Sequence, residues 1–194
     1  RKPMKSADIK KIRKKMEKTL DNARFEHTLG VAYTAACLAM RYDVDITKAQ
    51  VAGLLHDCAK CLTNEKRISI CKKHNIQMNE AELKNPQLLH AKVGSFLAME
   101  EFDIHDQDII NAILNHTTGR PDMSPLEKII YIADYIEPGR KQAPNLTTIR
   151  NMAFEDLNRA LLMILEDTLS YLKSTGSVVD VMTQKTYDFY SQCS

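Results

Sequence analysis

Apolar residues recur every three or four positions along almost the whole chain, and no run of alternating apolar and polar residues indicates a strand. This spacing is typical of amphipathic helices that share a core. The chain has 194 residues, enough for one well-buried core but too few for two ordinary domains and a linker. The pattern therefore predicts an all-α fold, an irregular helical bundle in which residues 1–194 form a single domain.

Start and stop signals divide this pattern into helices. The first helix is predicted by the apolar positions between Ile9 and Leu20. Thr47, Asn64 and Ser124 are the expected N-caps, and Pro138-Gly139 ends the helix that starts at Pro125. Further helices are expected at about residues 24–41, 47–60, 64–74, from 87 onward, 106–116, 125–136 and 146–173, with a short helix at most in 79–86 and another short one closing the chain.

The composition is that of an ordinary globular protein, with 44% hydrophobic and 27% charged residues. No apolar stretch is long enough to cross a membrane, and none has the layout of a signal peptide. The net charge of +2 and the absence of Trp do not favour a nucleic-acid partner. The N-terminus is basic, which fits either a solvated helix face or weak contact with a polyanion. Its cations are Lys2, Lys5, Lys10, Lys11, Arg13, Lys14, Lys15 and Lys18.

The five cysteines are odd in number and irregularly spaced. Cys58 and Cys61 form one C-x-x-C motif without a second pair, so a structural zinc site is not predicted. Cys37 lies in an apolar helical stretch and is expected to be a buried, reduced thiol. This usage fits a cytoplasmic location, where thiols stay reduced.

The most informative residues are polar ones at positions that the helical pattern assigns to the core. Asp134 lies in the nearly continuous apolar run 129–136, and none of its helical neighbours is a cation. An unpaired buried carboxylate costs several kcal/mol, so Asp134 must be protonated, paired with a distant group or bound to a metal.

The adjacent pair His56-Asp57 is the second anomaly. Near a helix end, the imidazole and the carboxylate can converge on one ion, and the second carboxylate oxygen can reach another ion. The alternative is a histidine favoured by the helix dipole beside an aspartate paired with Lys60.

Three further histidines, His27, His90 and His116, lie in or beside apolar helical faces, whereas His74 and His105 have polar neighbours and are expected on the surface. Each of the three by itself could be an ordinary hydrogen-bonded core residue. Together with His56, Asp57 and Asp134, however, they place four imidazoles and two carboxylates on five predicted helices. Such a set suits iron, manganese or zinc, and it can hold two ions with positions left for water and substrate.

Groups that can bind phosphate accompany these candidate ligands in the sequence. Arg binds phosphate bidentately and Lys binds it as a point charge, so their placement favours a polyphosphate substrate over a neutral one. The alternative for any one cation is ordinary surface charge. The candidates for substrate binding are Lys60, Thr117, Arg120, Lys128 and Arg140.

The arrangement of His27, His56-Asp57 and Asp134 resembles the H…HD…D signature of the HD superfamily of metal-dependent phosphohydrolases. Within that superfamily, roughly residues 20–165 are similar to the YqeK family. The segments that carry this resemblance are 26–31, 52–60, 88–94, 115–120, 123–128 and 130–140, of which Asp134 to Arg140 is the most specific.

The resemblance implies an HD-type fold, a di-iron centre and symmetrical hydrolysis of diadenosine tetraphosphate, and of related dinucleotides, to two ADP. It implies one metal held by His27, His56, Asp57 and Asp134, and a second held by His90 and His116 with Asp57 as the bridge. His56, Asp57 and Lys60 are the expected catalytic residues. Hydrolysis is expected to proceed by attack of a metal-activated hydroxide on an inner phosphorus.

Two alternatives stay open on the sequence. One is an HD phosphohydrolase that acts on another nucleotide, and the other is a non-catalytic HD scaffold that binds a nucleotide or a protein. A homodimer is also compatible with the sequence.

Overall fold

The computed structural model describes residues 6–192, which form eleven α-helices and one 3₁₀ helix without a strand, as the all-α prediction requires. The helices are α1 (Ser6–Thr19), α2 (Asn22–Arg41), α3 (Ile46–Leu55), α4 (Asn64–Lys73), α5 (Glu80–Lys84), α6 (His90–Phe102), α7 (Gln107–Leu114), α8 (Pro125–Ile136), α9 (Leu146–Glu155), α10 (Leu157–Ser174) and α11 (Val181–Ser191), and the 3₁₀ helix is Pro86–Leu89.

Helix α3 lies at the centre of the bundle and packs against α1, α2, α7 and α8. Its closest neighbour is α2, because Gly53 lets the two backbones meet. A Cβ added at Gly53 would lie 2.7 Å from the Cα of Ala32. The largest fully buried side chains around this contact include Leu38, Leu55 and Ile129. The missing side chain at Gly53 therefore allows α2 and α3 to approach closely.

Two of the predicted N-caps are wrong by one or two residues. Asp45, not Thr47, caps α3 by accepting a hydrogen bond from the amide of Lys48. Thr63, not Asn64, caps α4 in the same way. In both cases the capping residue comes one or two positions before the predicted one, and its side chain accepts a hydrogen bond from an N–H of the first helical turn. The third prediction is confirmed, since Ser124 caps α8 in a capping box with Glu127.

Helix α3 ends at Leu55 instead of near Lys60, and residues 56–62 form turns. The buried guanidinium of Arg67 holds these turns, because it donates to the carbonyls of Ala59 and Lys60 at 3.2 and 3.0 Å. The helix therefore stops immediately before His56-Asp57. His56 is its C-cap and keeps a helical backbone, and Asp57 lies in the turns that follow.

The single long helix predicted over residues 146–173 is instead two helices, α9 and α10. Asp156 separates them with an extended backbone, φ −142° and ψ 107°, and its carboxylate accepts from the amide of Arg159. An Asp side chain that bonds a nearby amide competes with helix continuation, and here it caps a new helix instead.

Helix α11 packs on the loop between α7 and α8, which follows His116. Thr186 Oγ1 donates to the carbonyl of Thr118 at 3.0 Å, and the amide of Met123 donates to the Tyr190 hydroxyl at 2.8 Å. The loop turns at Gly119, whose φ of +65° is in the left-handed region that favours glycine. The closing helix thus fixes the loop beside one of the candidate metal ligands.

At the opposite end, α1 buries Ile12, Met16 and Leu20, while the lysines and the arginine that it carries from residue 10 onward are exposed. Lys2 and Lys5 lie outside the described residues. Cys37 is exposed, so the prediction of a buried thiol there is wrong, because this position of α2 faces away from the core. Over residues 6–192, no helix is both long and apolar enough to cross a membrane.

Candidate metal centre

The six predicted metal ligands meet in one pocket between five segments of the chain. His27 lies in α2, His56 and Asp57 in the turns after α3, and Asp134 in α8. His90 is the first residue of α6, and His116 lies just after α7. The ring centroids of successive histidines lie 5.4 Å apart for His27 and His56, 5.1 Å for His56 and His116, and 4.9 Å for His90 and His116.

Asp57 is the centre of this cluster, since its two oxygens face different histidines. Oδ1 lies 3.2 Å from His90 Nε2 and 3.5 Å from His116 Nε2. Oδ2 lies 3.5 Å from His56 Nε2 and 3.8 Å from His27 Nε2. The carboxylate is therefore placed as a bridge between two groups of nitrogen ligands.

Asp134 completes the His27 side of the cluster. Its Oδ1 lies 3.0 Å from His27 Nε2 and 3.8 Å from His56 Nε2. The same oxygen lies 2.9 Å from the guanidinium of Arg140, so Asp134 has a cationic partner six residues along the chain. Donor atoms of His27, His56 and Asp134 lie within 4.8 Å of one another, as do those of His56, Asp57 and His116.

All four imidazoles are held through Nδ1, so that Nε2 points into the cluster. His56, His90 and His116 each bond a backbone carbonyl through Nδ1, at 2.6, 2.6 and 2.7 Å. His27 Nδ1 lies 3.0 Å from Glu137 Oε1. A carbonyl can only accept, so Nδ1 carries the proton in those three rings, and a neutral ring then presents the Nε2 lone pair. This is the arrangement that metal-binding histidines adopt.

The cluster also contains ring nitrogens for which residues 6–192 provide no hydrogen-bond partner. His27 Nε2 and His56 Nε2 are buried and have no aligned hydrogen-bond partner among the described residues. His90 Nε2 and His116 Nε2 lie 3.0 Å apart. Two lone pairs at this distance repel each other unless a cation lies between them, and two nitrogens each about 2.1 Å from one ion would subtend about 90°. The residues present therefore fit metal ions.

Burial and neighbouring charges set the protonation of these ligands. Burial lowers the pKa of His56 to about 4 and also lowers the pKa of His90, which favours neutral rings. For His27 and His116, burial is outweighed by the Asp134 and Asp57 carboxylates respectively, which raise the pKa of these two rings. Burial alone would raise the pKa of Asp57, but the surrounding histidines hold it well below its ordinary value. Asp57 is therefore ionised at neutral pH and available as a ligand.

Arg24 is a functional candidate that the sequence analysis missed. Its guanidinium lies 2.8 Å from Asp57 Oδ2, opposite the side of the carboxylate that faces His90. The available signal was its position three residues before His27, which places both side chains on one face of α2. Glu137 was missed as well, although it lies within the most specific segment, Asp134 to Arg140.

The predicted phosphate contacts divide into two groups. Arg140 contacts the cluster through Asp134. Lys60 is partly buried near Asp57, and burial lowers the pKa of its ammonium group. Thr117 directly follows His116 and is partly buried.

Arg120 and Lys128 have other partners. Arg120 forms a bidentate pair with the buried carboxylate of Glu127, at 2.8 and 2.7 Å. Lys128 donates to Asn158 and lies over the ring of Tyr190. Among the described contacts, neither cation touches a residue of the cluster, because both are held by α8, α10 and α11 side chains.

The fold and this cluster define a candidate metal site made of histidines and aspartates, and comparison with known families gives the class of protein. The sequence profile described as "HD domain" matches residues 24–139, a range that contains all six predicted ligands. The chain belongs to the HD domain family, whose members bind divalent metals.

Similar proteins with named activities indicate which group within the HD domain family the chain belongs to. The chain is 38% identical to the symmetrical bis(5'-nucleosyl)-tetraphosphatase of Bacillus subtilis, covering 90% of this chain and 92% of that one. It is 41% identical to the protein of the same name from Halalkalibacterium halodurans, covering 87% and 89%. Within the HD proteins, the chain is thus a member of the YqeK family.

A solved structure agrees with this placement. The crystal structure of a protein described as a predicted HD superfamily hydrolase involved in NAD metabolism, from Clostridium acetobutylicum, superposes with a TM-score of 0.92. It is 43% identical in sequence, and the match covers 99% of this chain and 100% of that one. The HD-type fold predicted from the resemblance is confirmed.

Proposed function

We propose that this chain is a symmetrical bis(5'-nucleosyl)-tetraphosphatase, which hydrolyses diadenosine tetraphosphate and related dinucleoside polyphosphates. The products from diadenosine tetraphosphate are two ADP. The observation that carries the proposal is the position of Asp57, whose two oxygens face separate groups of histidines. Identity of 38% and 41% to tetraphosphatases over nearly the whole chain supports the same substrate.

We propose two metal ions at this centre, iron by the family resemblance, with manganese and zinc also suited to the ligands. The first would be held by His27, His56, Asp57 and Asp134. The second would be held by His90 and His116, with Asp57 shared. When bound, such ions supply Lewis acidity toward phosphoryl oxygens and lower the pKa of a coordinated water.

The protein's own groups then position the polyphosphate chain. Arg140 and Arg24 flank the two carboxylates of the cluster, at Asp134 and Asp57. Guanidinium groups in these places can bind phosphoryl oxygens bidentately and offset the charge that builds up during displacement. Lys60, near Asp57, is a further phosphate contact, and Thr117 beside His116 can donate through its hydroxyl.

The reaction joins the oxygen of water to an inner phosphorus and breaks the bridging P–O bond between the two inner phosphoryl groups. The leaving nucleoside diphosphate takes the bridging oxygen. Since either inner phosphorus of the symmetric chain gives the same two products, one asymmetric centre is sufficient.

The assignment of Arg120 and Lys128 to substrate binding has less support than that of Arg140. Arg120 pairs with Glu127 and Lys128 donates to Asn158, and neither partner belongs to the cluster, whereas Arg140 pairs with Asp134 within it. We keep both as predictions. A cytoplasmic location and a homodimer also stay predictions, as does a single HD domain over residues 1–194 with its core at about 20–165.

Anaerobic metal analysis combined with product identification tests the proposal. We expect about two metal ions per chain and release of two ADP from diadenosine tetraphosphate. Release of phosphate or pyrophosphate from another nucleotide, with the tetraphosphate left intact, would favour a different HD phosphohydrolase. Nucleotide binding without metal or turnover would favour the non-catalytic scaffold.

A further inference from the structure

His27 is held differently from the other three histidines of the metal centre. The others donate their Nδ1 proton to a carbonyl three residues earlier, where a helix is ending or a 3₁₀ helix is present. Carbonyls in the last turn of an α-helix lack intrahelical partners, which applies to two of the three acceptors, and the third, on the 3₁₀ helix, accepts the amide of His90 as well as its ring. The acceptors are Gly53, Gln87 and Ile113.

His27 has no such carbonyl available. It is the sixth residue of α2, which continues to Arg41, so the carbonyls around it accept from amides of the next helical turn. Its Nδ1 therefore requires a side-chain acceptor from another part of the fold. Glu137, which follows the last residue of α8, provides this acceptor at 3.0 Å from a position 110 residues away in the sequence.

The carboxylate of Glu137 occupies a fitted space. Its residue is only 3% exposed. An added Cβ at Gly30 would overlap Glu137 Oε2, and an added Cβ at Gly139 would lie 2.9 Å from both carboxylate oxygens. The amide of Gly139 also donates to Oε2 at 2.5 Å. Both oxygens are thus fixed, one on His27 and one on the turn after α8.

The charged partner of the Glu137 carboxylate is a residue of the metal centre. Among the ion pairs of residues 8–192, Glu137 pairs with His27 and with no Lys or Arg side chain. A buried carboxylate is costly unless a cation or a polarised donor compensates it. The imidazole of His27 connects it to Asp134, whose Oδ1 lies 3.0 Å from Nε2.

We propose that Glu137 is a positioning residue for the metal centre, which orients His27 and strengthens Nε2 as a ligand. The carboxylate keeps the proton on Nδ1 and thereby leaves the Nε2 lone pair for a metal. The same residue shapes the turn that presents Arg140, because the Glu137 carbonyl accepts from the amide of Arg140 at 3.0 Å. This inference rests on the two metals of the proposed function.

Zinc titration of the full chain against a chromophoric chelator tests this role. Glu137→Met keeps the length and burial of the side chain but removes both acceptors. We expect one of two zinc ions to bind about 10–100-fold more weakly, which is the usual effect of losing such a partner. The zinc ion at His90 and His116 should change less than about threefold.

Nitrogen-15 NMR of the zinc-loaded protein reports directly on the proton of each histidine ring. A purely structural role of Glu137 would leave these signals unchanged. The protected Nδ1–H signal of His27 should be present in the wild type and lost in Glu137→Met, while the Nδ1–H signals of the other three histidines stay. Glu137→Gln has one amide oxygen, which can serve His27 or Gly139 but not both. It should therefore recover part of the affinity, with a loss of about 3–10-fold.

Glu82→Gln is the matched control, because Glu82 is 5% exposed and pairs with Lys92 and Asn79 instead of the cluster. Its zinc affinities should equal those of the wild type. Wild-type affinity for both zinc ions in Glu137→Met, or in Glu137→Gln if the first variant does not fold, overturns the inference. Failure of the wild-type chain itself to bind zinc would instead overturn the proposed function.

Discussion

The Nε2 atoms of His90 and His116 lie 3.0 Å apart, and each ring is fixed by a hydrogen bond from its opposite nitrogen to a backbone carbonyl. The two nitrogens cannot turn away from each other without breaking those bonds. This pair therefore forms a preset two-nitrogen site whose only nearby carboxylate oxygen among the described ion pairs is Asp57 Oδ1.

Replacing either member of this pair should remove one metal and keep the other. We expect His116→Ala or His90→Ala to retain about one metal per chain and to lose on the order of 10³-fold in kcat, because a two-metal displacement needs both ions. Metal analysis beside a tetraphosphate assay measures both quantities. Two retained metals with full turnover would show that this pair is not a metal site.

Asp57→Ala should have a wider effect, since its oxygens face both histidine groups. We expect both metals to be lost, turnover to fall by on the order of 10³-fold or more, and the far-UV circular dichroism to stay helical. The variant also frees Arg24 from its ion pair. Retention of two metals and normal turnover in this variant would refute the bridging role.

Replacing Arg140 should affect catalysis, whereas replacing Arg120 should affect the stability of the fold. Arg140→Ala is expected to lower kcat/KM by about 10–100-fold with little change in Tm, because its side chain is 43% exposed and its guanidinium lies beside Asp134. Arg120→Ala is expected to destabilise the fold by about 2–3 kcal/mol, because it leaves the buried Glu127 carboxylate without its cation.

Steady-state kinetics and thermal unfolding of both variants check this contrast, with the exposed Lys173→Ala as a surface control. A wild-type kcat/KM in Arg140→Ala would exclude Arg140 as a phosphate contact, and a catalytic defect in Arg120→Ala without loss of stability would support the sequence prediction that Arg120 binds phosphate.

The cysteines should differ in their reaction with iodoacetamide. Burial raises the pKa of the Cys58 thiol to about 12, so only about 10⁻⁴ of it is thiolate at pH 8. Cys37 and Cys61 are exposed and should be alkylated first, as mass spectrometry of the native protein would report. Labelling of Cys58 should rise as pH increases toward 12. Equal rates for Cys58 and Cys37 at pH 8 would contradict the burial of Cys58.

Two helical glycines should respond differently to alanine. Gly53→Ala places a methyl group 2.7 Å from the Ala32 backbone and is expected to cost about 1–3 kcal/mol, because the α2–α3 contact must open. Gly94→Ala meets only ordinary contacts at 3.5 Å and beyond, and is expected to be neutral or stabilising by up to about 1 kcal/mol. Chemical denaturation gives the free energy of unfolding of both variants. Equal values would show that the close contact between α2 and α3 does not make Gly53→Ala destabilising.

The sequence by itself determined the helical class, most helix positions and the six candidate ligands that the structure brings together. It could do so because helical periodicity identifies the buried face, and a polar residue such as Asp134 on that face requires a partner. The family resemblance then supplied the grouping of the ligands, with Asp57 as the shared one.

Only the tertiary structure decided what surrounds those ligands. Helix periodicity says nothing about which residue meets His27 from 110 positions away, so Glu137 was not predicted. It also could not show that Arg120 is held by Glu127 while Arg140 contacts Asp134, since both arginines are polar loop residues in the sequence. Such pairings depend on how the helices pack and on where α3 ends, and both are set by contacts between distant parts of the chain.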